Sequence, residues 1–271
     1  MSNRRYYLYP KFRVARDLAQ VGYYEDLPSD AILLNAGSGE YFYHPRFKNI
    51  DIFEPHLYKN FNHLINFDLR EYKNFPNKFK NVSAIYFGHV IEHLPAKDLI
   101  GILKAFHTSM LSGATLRIVT PDASLIYSAY KDGNINFFKA YKSWFQVRKE
   151  ITPSLEDYLV QLLATPKSRV YTAYDNKENK LSSKEIRFQF ETLSEIDFLN
   201  WLIEGLDKNN DSGTDHLNWF NHQKLKEISD ATGFKYIPSA FGQSSFLPFK
   251  QVPLFDETMP SISMYADLIK M

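Results

Sequence analysis

The run Ala31-Ile-Leu-Leu-Asn-Ala-Gly-Ser-Gly-Glu40 constrains this chain more than any other segment. A short apolar stretch that breaks into Gly-x-Gly reads as a buried parallel strand ending in a tight loop. Glycine suits that loop because the chain must turn sharply and let its backbone approach a ligand with no Cβ in the way. In doubly wound α/β folds, the mouth above the first strand is where nucleotide-like ligands sit. A Gly-x-Gly by itself marks only a turn. The order of the segments that follow gives it weight.

Lys11 to Val21 reads as a helix, after which short apolar strands alternate with helical or loop segments. Ile32–Asn35 is the first strand. Lys48–Phe53 is the second, with the acids Asp51 and Glu54 near its end. Leu64–Phe67 precedes Asp68, and Val82–Phe87 runs into Gly88-His89. Between Pro95 and Leu111 the residues Leu99, Ile102, Leu103, Phe106 and Met110 recur at helical spacing, with Gly113 as the terminator. Thr115–Thr120 is a fifth strand closed by Pro121. Such alternation argues for a parallel sheet covered on both faces.

The pattern then breaks. From Ile126 to Asp215 the chain reads as helices without strands. Thr152-Pro153 starts one that carries Leu155, Leu159, Leu162 and Leu163. A second carries Leu193, Ile196, Leu199, Leu202, Ile203 and Leu206, followed by a polar loop over Asp207–Thr214. Asn221 caps a helix that runs through Leu225 and Ile228 to Gly233, and Phe234–Ile237 and Ser263–Ile269 are late strands. The expected fold is α/β: a Rossmann-like, doubly wound sheet, mainly parallel with a late antiparallel strand. Its core spans 1–125 and 216–271, and a helical insertion over 126–215 is expected to form a lid.

Composition narrows the chemistry. Lysine plus arginine number 32 and acids 31, so no net charge draws the chain to nucleic acid. The absence of cysteine excludes disulfides, thiolate catalysis and Cys-ligated metal. The 22 Phe and 18 Tyr supply packing area and stacking surfaces. Met1-Ser-Asn-Arg-Arg-Tyr-Tyr7 lacks the apolar core of a signal peptide, and no apolar run approaches the ~20 residues of a membrane span. The expectation is a soluble, cytoplasmic protein.

Acids at the ends of successive strands, above one glycine turn, are what a ribose- and adenine-bearing cofactor requires. An acid after the second strand accepts from ribose hydroxyls, and one after the third meets an adenine amino group. Asp51 and Asp68 stand in those places. A dinucleotide is the competitor, but Gly37-Ser-Gly39-Glu-Tyr-Phe42 lacks the third glycine of the fingerprint. Only Glu40 to Phe47 separates the turn from the second strand, too short for a regular crossover helix.

In this order, Leu34-Asn-Ala-Gly-Ser-Gly39, Asn49-Ile-Asp51, Phe67-Asp-Leu69, His89-Val-Ile-Glu-His-Leu94, Leu111-Ser-Gly113 and Leu116-Arg-Ile-Val-Thr-Pro-Asp122 follow one another. Asp215-His-Leu-Asn-Trp-Phe220, Ala231-Thr-Gly-Phe234 and Ser261–Lys270 come later. The chain resembles the class I S-adenosylmethionine-dependent methyltransferases, in particular the type 11-like bacterial branch found among surface-polysaccharide genes. The resemblance covers Ala31–Asp122 and Asp215–Lys270 and leaves the helical middle unmatched. It implies S-adenosyl-L-methionine as cofactor. Gly37 and Gly39 would let the backbone approach its methionine portion, Asp51 would hold the ribose, and Asp68 the adenine end. Gly88-His89 would pass close to the sulfonium. Ser38 and Leu69 lie within the same motifs and count with the cofactor-binding residues. Ser38 replaces the usual cysteine. Phe53 falls where related enzymes often have a small polar residue, so Glu54 rivals Asp51 for the ribose.

His89-Val-Ile-Glu-His93 also matches the inverted zinc-peptidase pattern H-x-x-E-H. That reading needs one helix presenting both imidazoles and a third ligand from elsewhere. Here the first histidine directly follows an apolar strand, and no metal is assigned. Methyl transfer to an alcohol asks for alignment, exclusion of water and a base. His89 is the first candidate for the base and His216 the second, while Asp122 reads as the cap of the helix after the fifth strand. The leading expectation is O-methylation of a sugar or other small-molecule or glycan acceptor, with Trp144, Phe145, Tyr158 and Trp201 as candidate acceptor contacts or core. The alternatives are a non-catalytic cofactor-binding scaffold and a protein methyltransferase.

Overall fold

The segment Val82–Gly88 shows how the core is organised. Successive side chains on a strand point to opposite faces, and here both faces are apolar. Ala84 and Tyr86 join a cluster with Leu33, Phe47, Val119, Phe249 and Phe255. Phe87 turns to the other side and meets Phe106 edge-on at 5.2 Å between ring centroids. A strand apolar on both faces belongs inside a covered parallel sheet.

The structure, a computed structural model, describes residues 22–39, 46–52, 64–140, 152–170, 180–206, 215–251 and 254–271. The expected helix over Lys11 to Val21, Phe53, Glu54, Trp144, Phe145 and the loop Asp207–Thr214 lie outside them. The described residues fall into two compact units, one within 1–90, 97–120 and 223–271, the other within 91–96 and 121–222.

The first unit carries a seven-stranded sheet. Its strands are β1 (Ile32–Ala36), β2 (Lys48–Asp51), β3 (Leu64–Asn66), β4 (Val82–Gly88), β5 (Met110–Pro121), β6 (Phe234–Ser239) and β7 (Ser263–Lys270), in the spatial order β3-β2-β1-β4-β5-β7-β6. The strands from β3 across to β5 are parallel, while β6 and β7 pair antiparallel from Phe234↔Lys270 to Ser239↔Tyr265. This is the expected mainly parallel, doubly wound sheet with late antiparallel pairing. The chain leaves β1 towards β2 on one side and later returns to β4 on the other, so the order reverses between β1 and β4. At such a switch point a crevice opens beyond the strand C-termini.

Several element boundaries differ from expectation. The fifth strand begins at Met110, because the helix Ala96–Ser109 runs directly into extended chain. Gly113, at φ +80°, sits in a bulge where the register jumps from Val82↔Met110 to Ala84↔Thr115. It serves the strand rather than the helix end. In the second unit, the helix Leu155–Leu163 starts at Ser154 and not at Thr152. Ser154 Oγ accepts from Asp157 N, and the Asp157 carboxylate accepts from Ser154 N at 2.7 Å, a reciprocal capping box.

The second unit's described elements are helices. Ala123–Lys131 is capped by Asp122, whose carboxylate accepts from Ser124 N and Leu125 N, as expected. Ile135–Lys139, Leu155–Leu163, Ser183–Thr192 and Glu195–Ile203 follow. Leu193 closes one helix and Ser194 caps the next, so the apolar run expected to be one helix is divided between the end of one and the start of another. No helix among the described residues is long and apolar enough to cross a membrane.

A buried charge network ties the C-terminal strands to the first unit's sheet. Arg117 on β5 is fully buried and donates to Asp256 through Nη2 at 2.5 Å and through Nε at 3.3 Å. It also donates to Asp267 on β7 at 3.1 Å and to the Ala240 carbonyl at 2.9 Å. Burial raises the Asp256 carboxyl above its ordinary range, against the pull of Arg117. Three buried charges persist here because each finds geometry-matched partners.

Candidate active site

The glycine turn after β1 is held by hydrogen bonds to the end of the neighbouring strand β2. Gly37 N and Ser38 N both donate to the Ile50 carbonyl, at 2.8 and 3.2 Å. Gly39 N donates to Asp51 Oδ2 at 2.6 Å, and Ile52 N donates to Asp51 Oδ1 at 2.7 Å. Asp51 therefore closes the turn from the end of the neighbouring strand. Beneath it, Asn35 donates to the buried Asn49 side chain at 3.0 Å, matching two asparagines at the same register level.

The two glycines differ. Both have positive φ, +68° and +63°. A Cβ on Gly37 would lie 2.3 Å from Val90 Cγ2, whereas one on Gly39 would meet nothing within 4 Å among the described residues. Gly37 is needed for close packing of the turn on Val90. Among the described residues Gly39 has open space on its side, the approach that a ligand needs. Ser38 is buried, with its hydroxyl 3.4 Å from the Gly39 carbonyl oxygen.

Asp68 caps the short turn Leu69–Asn74 and is gripped by Arg70, whose Nε and Nη2 donate to both carboxylate oxygens at 2.7–3.0 Å. The hydrogen bond from Arg70 holds this carboxyl below its usual range against partial burial. Leu69 is buried, so its side chain belongs to the core. Asp68 and Arg70 line a shallow cavity of about 650 Å³ together with Ile52, Asn66, Asn74 and Lys78. Ile52, directly after Asp51, is 61% exposed. The sequence does not single it out, because an isolated Ile at a strand end carries no signal until its solvent exposure is known.

Gly88 ends β4 with its Cα against the Tyr86 ring, where a Cβ would lie 2.6 Å from the ring. His89 follows at φ +54°, a left-handed conformation rare for a residue with a Cβ. Its N–H donates to the Val119 carbonyl at 2.7 Å. Its Nε2 lies 2.9 Å from the Thr258 carbonyl oxygen and 3.1 Å from Ser263 Oγ. A carbonyl only accepts, so Nε2 carries the proton and Nδ1 the lone pair of the neutral ring.

In the second unit, Glu92 and His93 stand on a single 3-10 turn, Ile91–His93. The inverted zinc-peptidase helix is thus absent, because the strained turn at His89 separates it from any helix bearing Glu92. Instead, Glu92 and His93 meet His216, and one ligand atom from each lies within 4.8 Å of the others. The two imidazole rings pack edge-on at 4.8 Å. Asp122 is occupied as a helix cap. Tyr158 is buried and stacks on Phe138, so it is core; Trp201 is half-buried, packed on Phe198 with the Lys167 ammonium over its ring.

No protein-family model matches the chain, and no curated protein does. Among solved structures, it is similar to a SAM dependent methyltransferase from Archaeoglobus fulgidus, at 14% identity over 98% of this chain and 99% of that one, TM-score 0.41. An O-methyltransferase family protein from Burkholderia thailandensis matches at 9% identity over 95% of this chain, TM-score 0.39. An O-methyltransferase family 2 protein from Planctomyces limnophilus, in complex with apigenin, matches at 10% identity over 96%, TM-score 0.42. The chain spans 55% and 56% of the latter two proteins' lengths.

Proposed function

We propose that this chain is an S-adenosyl-L-methionine-dependent methyltransferase that methylates an oxygen of a sugar or other small-molecule acceptor. The observation that carries this reading is the turn at the β1/β4 switch point, closed by Asp51 on Gly39 N. The residues present fit such a cofactor. Asp51 stands at the end of β2 beside the glycine turn, and its carboxylate is the acceptor type that ribose hydroxyls require. Gly39 leaves open space, and exposed Ile52 offers an apolar face beside Asp51. Asp68 serves the adenine end only while shared with Arg70, which makes it the weaker of the two acids. When bound, the cofactor supplies an activated methyl group on a sulfonium leaving group.

The chain's own work is then alignment and proton removal. We assign the base to His89 Nδ1. The Thr258 carbonyl fixes the tautomer at Nε2, and the strained backbone holds the ring at the strand end. His216 belongs with Glu92 and His93 and is not assigned this role. The helical segment Ile126–Asp215 is proposed as the lid, on its helical periodicity and its interruption of the matched motifs. Titration calorimetry of the full chain with S-adenosylmethionine, S-adenosylhomocysteine and NAD tests the cofactor class. Micromolar binding of the first two without the third is expected, and the reverse would overturn the reading. His89→Ala should keep cofactor affinity and lose on the order of a hundredfold in turnover.

A further inference from the structure

The three donors Glu92, His93 and His216 come from distant parts of the sequence, and backbone bonds hold them together. Leu217 N and Asn218 N both donate to the Glu92 carbonyl, at 2.8 and 3.1 Å, which pins the segment carrying His216 against the turn carrying Glu92 and His93. His93 Nδ1 lies 3.0 Å from the Asp215 carbonyl oxygen. His216 Nδ1 faces the Leu162 carbonyl, and His216 N donates to Thr165 Oγ1 at 3.2 Å. Both rings therefore carry the proton on Nδ1, and in the neutral form both present the Nε2 lone pair. A backbone carbonyl on the far ring nitrogen is the support that metal-ligating histidines use, since it fixes tautomer and ring direction together. The Glu92 carboxylate, buried at 2% exposure, adds a hard anionic oxygen.

We propose that Glu92, His93 and His216 form a binding site for one divalent transition-metal ion of the Zn²⁺ type. Two imidazole nitrogens and one carboxylate are a donor set that suits zinc, and three protein ligands leave a fourth position open for water. Tetrahedral bonds of about 2.0–2.2 Å require donors roughly 3.3–3.6 Å apart. The observed separation of at most 4.8 Å closes by small rotations of the three side chains. The site is separate from the assignments made to Asp51 and His89 and does not depend on the methyl-transfer reading.

The test is a titration of the full chain, free of any histidine tag and stripped with chelator, with Co²⁺ and then Zn²⁺ alone. One Co²⁺ per chain is expected, with visible ligand-field absorption of a four-coordinate ion that Zn²⁺ abolishes. Glu92→Gln and His216→Gln should each weaken Co²⁺ binding tenfold or more, whereas His107→Ala, whose ring packs on Phe234, should leave it unchanged. X-ray absorption of the Zn²⁺-loaded wild-type protein should show two imidazoles and an oxygen shell, a readout that needs no variant to fold. Absence of stoichiometric binding by the wild type would overturn the proposal and leave a hydrogen-bonded Glu–His–His cluster. So would a zinc shell without two imidazoles, or binding that both glutamine variants keep while folded by circular dichroism.

Discussion

The mouth at β1 and β2 and the charge network at β5 and β7 solve the same problem over different lengths of chain. At the mouth, Asp51 accepts from Gly39 N, 12 residues earlier, and Asp68 is held by Arg70 two residues away. In the network, Arg117 meets Asp256 and Asp267 across 139 and 150 residues. The first set is partly exposed and tied mainly to backbone N–H groups and a neighbouring guanidinium. The second is buried and depends on the whole sheet being assembled. Locally tied charges are therefore available to a ligand at little cost to the fold. Charges tied over long range are committed to stability.

That contrast is testable. Arg117→Met would strand two buried carboxylates and should cost about 3–5 kcal/mol in urea unfolding. A loss below about 1 kcal/mol would mean that Asp256 and Asp267 find other partners, and the contrast would fail. Gly37→Ala places a Cβ against Val90 at positive φ and should cost about 2–5 kcal/mol from strain and overpacking together. Gly39→Ala carries only the backbone strain, about 1–2 kcal/mol. Equal losses at the two glycines would remove the distinction between a packing glycine and an approach glycine. Asp51→Asn should leave the melting temperature within a few degrees but weaken S-adenosylhomocysteine binding by about 1.5–3 kcal/mol, roughly 10- to 150-fold. Unchanged affinity in calorimetry would take the ribose role away from Asp51.

The smallest effect concerns Lys224, on the helix His222–Ala231, where burial lowers the ammonium to about 8. The unfolded chain then binds more protons than the folded one between that value and the ordinary lysine range. Stability should consequently rise with pH across that window, and the full penalty is present below it. Lys224→Met should stabilise the protein at pH 7 by about 1 kcal/mol, the side chain being only half-buried, and flatten the rise between pH 8 and 10. A variant with the same alkaline slope as wild type would assign the dependence to another group.

Much of the strand-end mouth is legible in the amino-acid sequence. Gly37, Gly39 and Asp51 declare themselves through the order of the segments that carry them, and their contacts join two strands adjacent in both sequence and sheet. The same holds for Asp122, whose capping bonds reach two and three residues ahead. Ser154 takes the cap expected of Thr152 because the choice between nearby capping candidates rests on the residue three places on, Asp157.

By itself, the sequence determined the alternation of strands and helices, the parallel sheet with late antiparallel pairing, and the glycine turn with its acid. Each of these is written in apolar period or in the chemistry of neighbouring segments. Only the tertiary structure decided that Arg117 pairs with Asp256 and Asp267, and that His89 turns to Thr258 while Glu92 and His93 turn to His216. A histidine's ring nitrogens are assigned by whichever carbonyl faces them, and that carbonyl can lie 54, 122 or 169 residues away. Spacing along the chain carries no record of such a partner. It exists only once the packing of strands and helices has brought the two segments together.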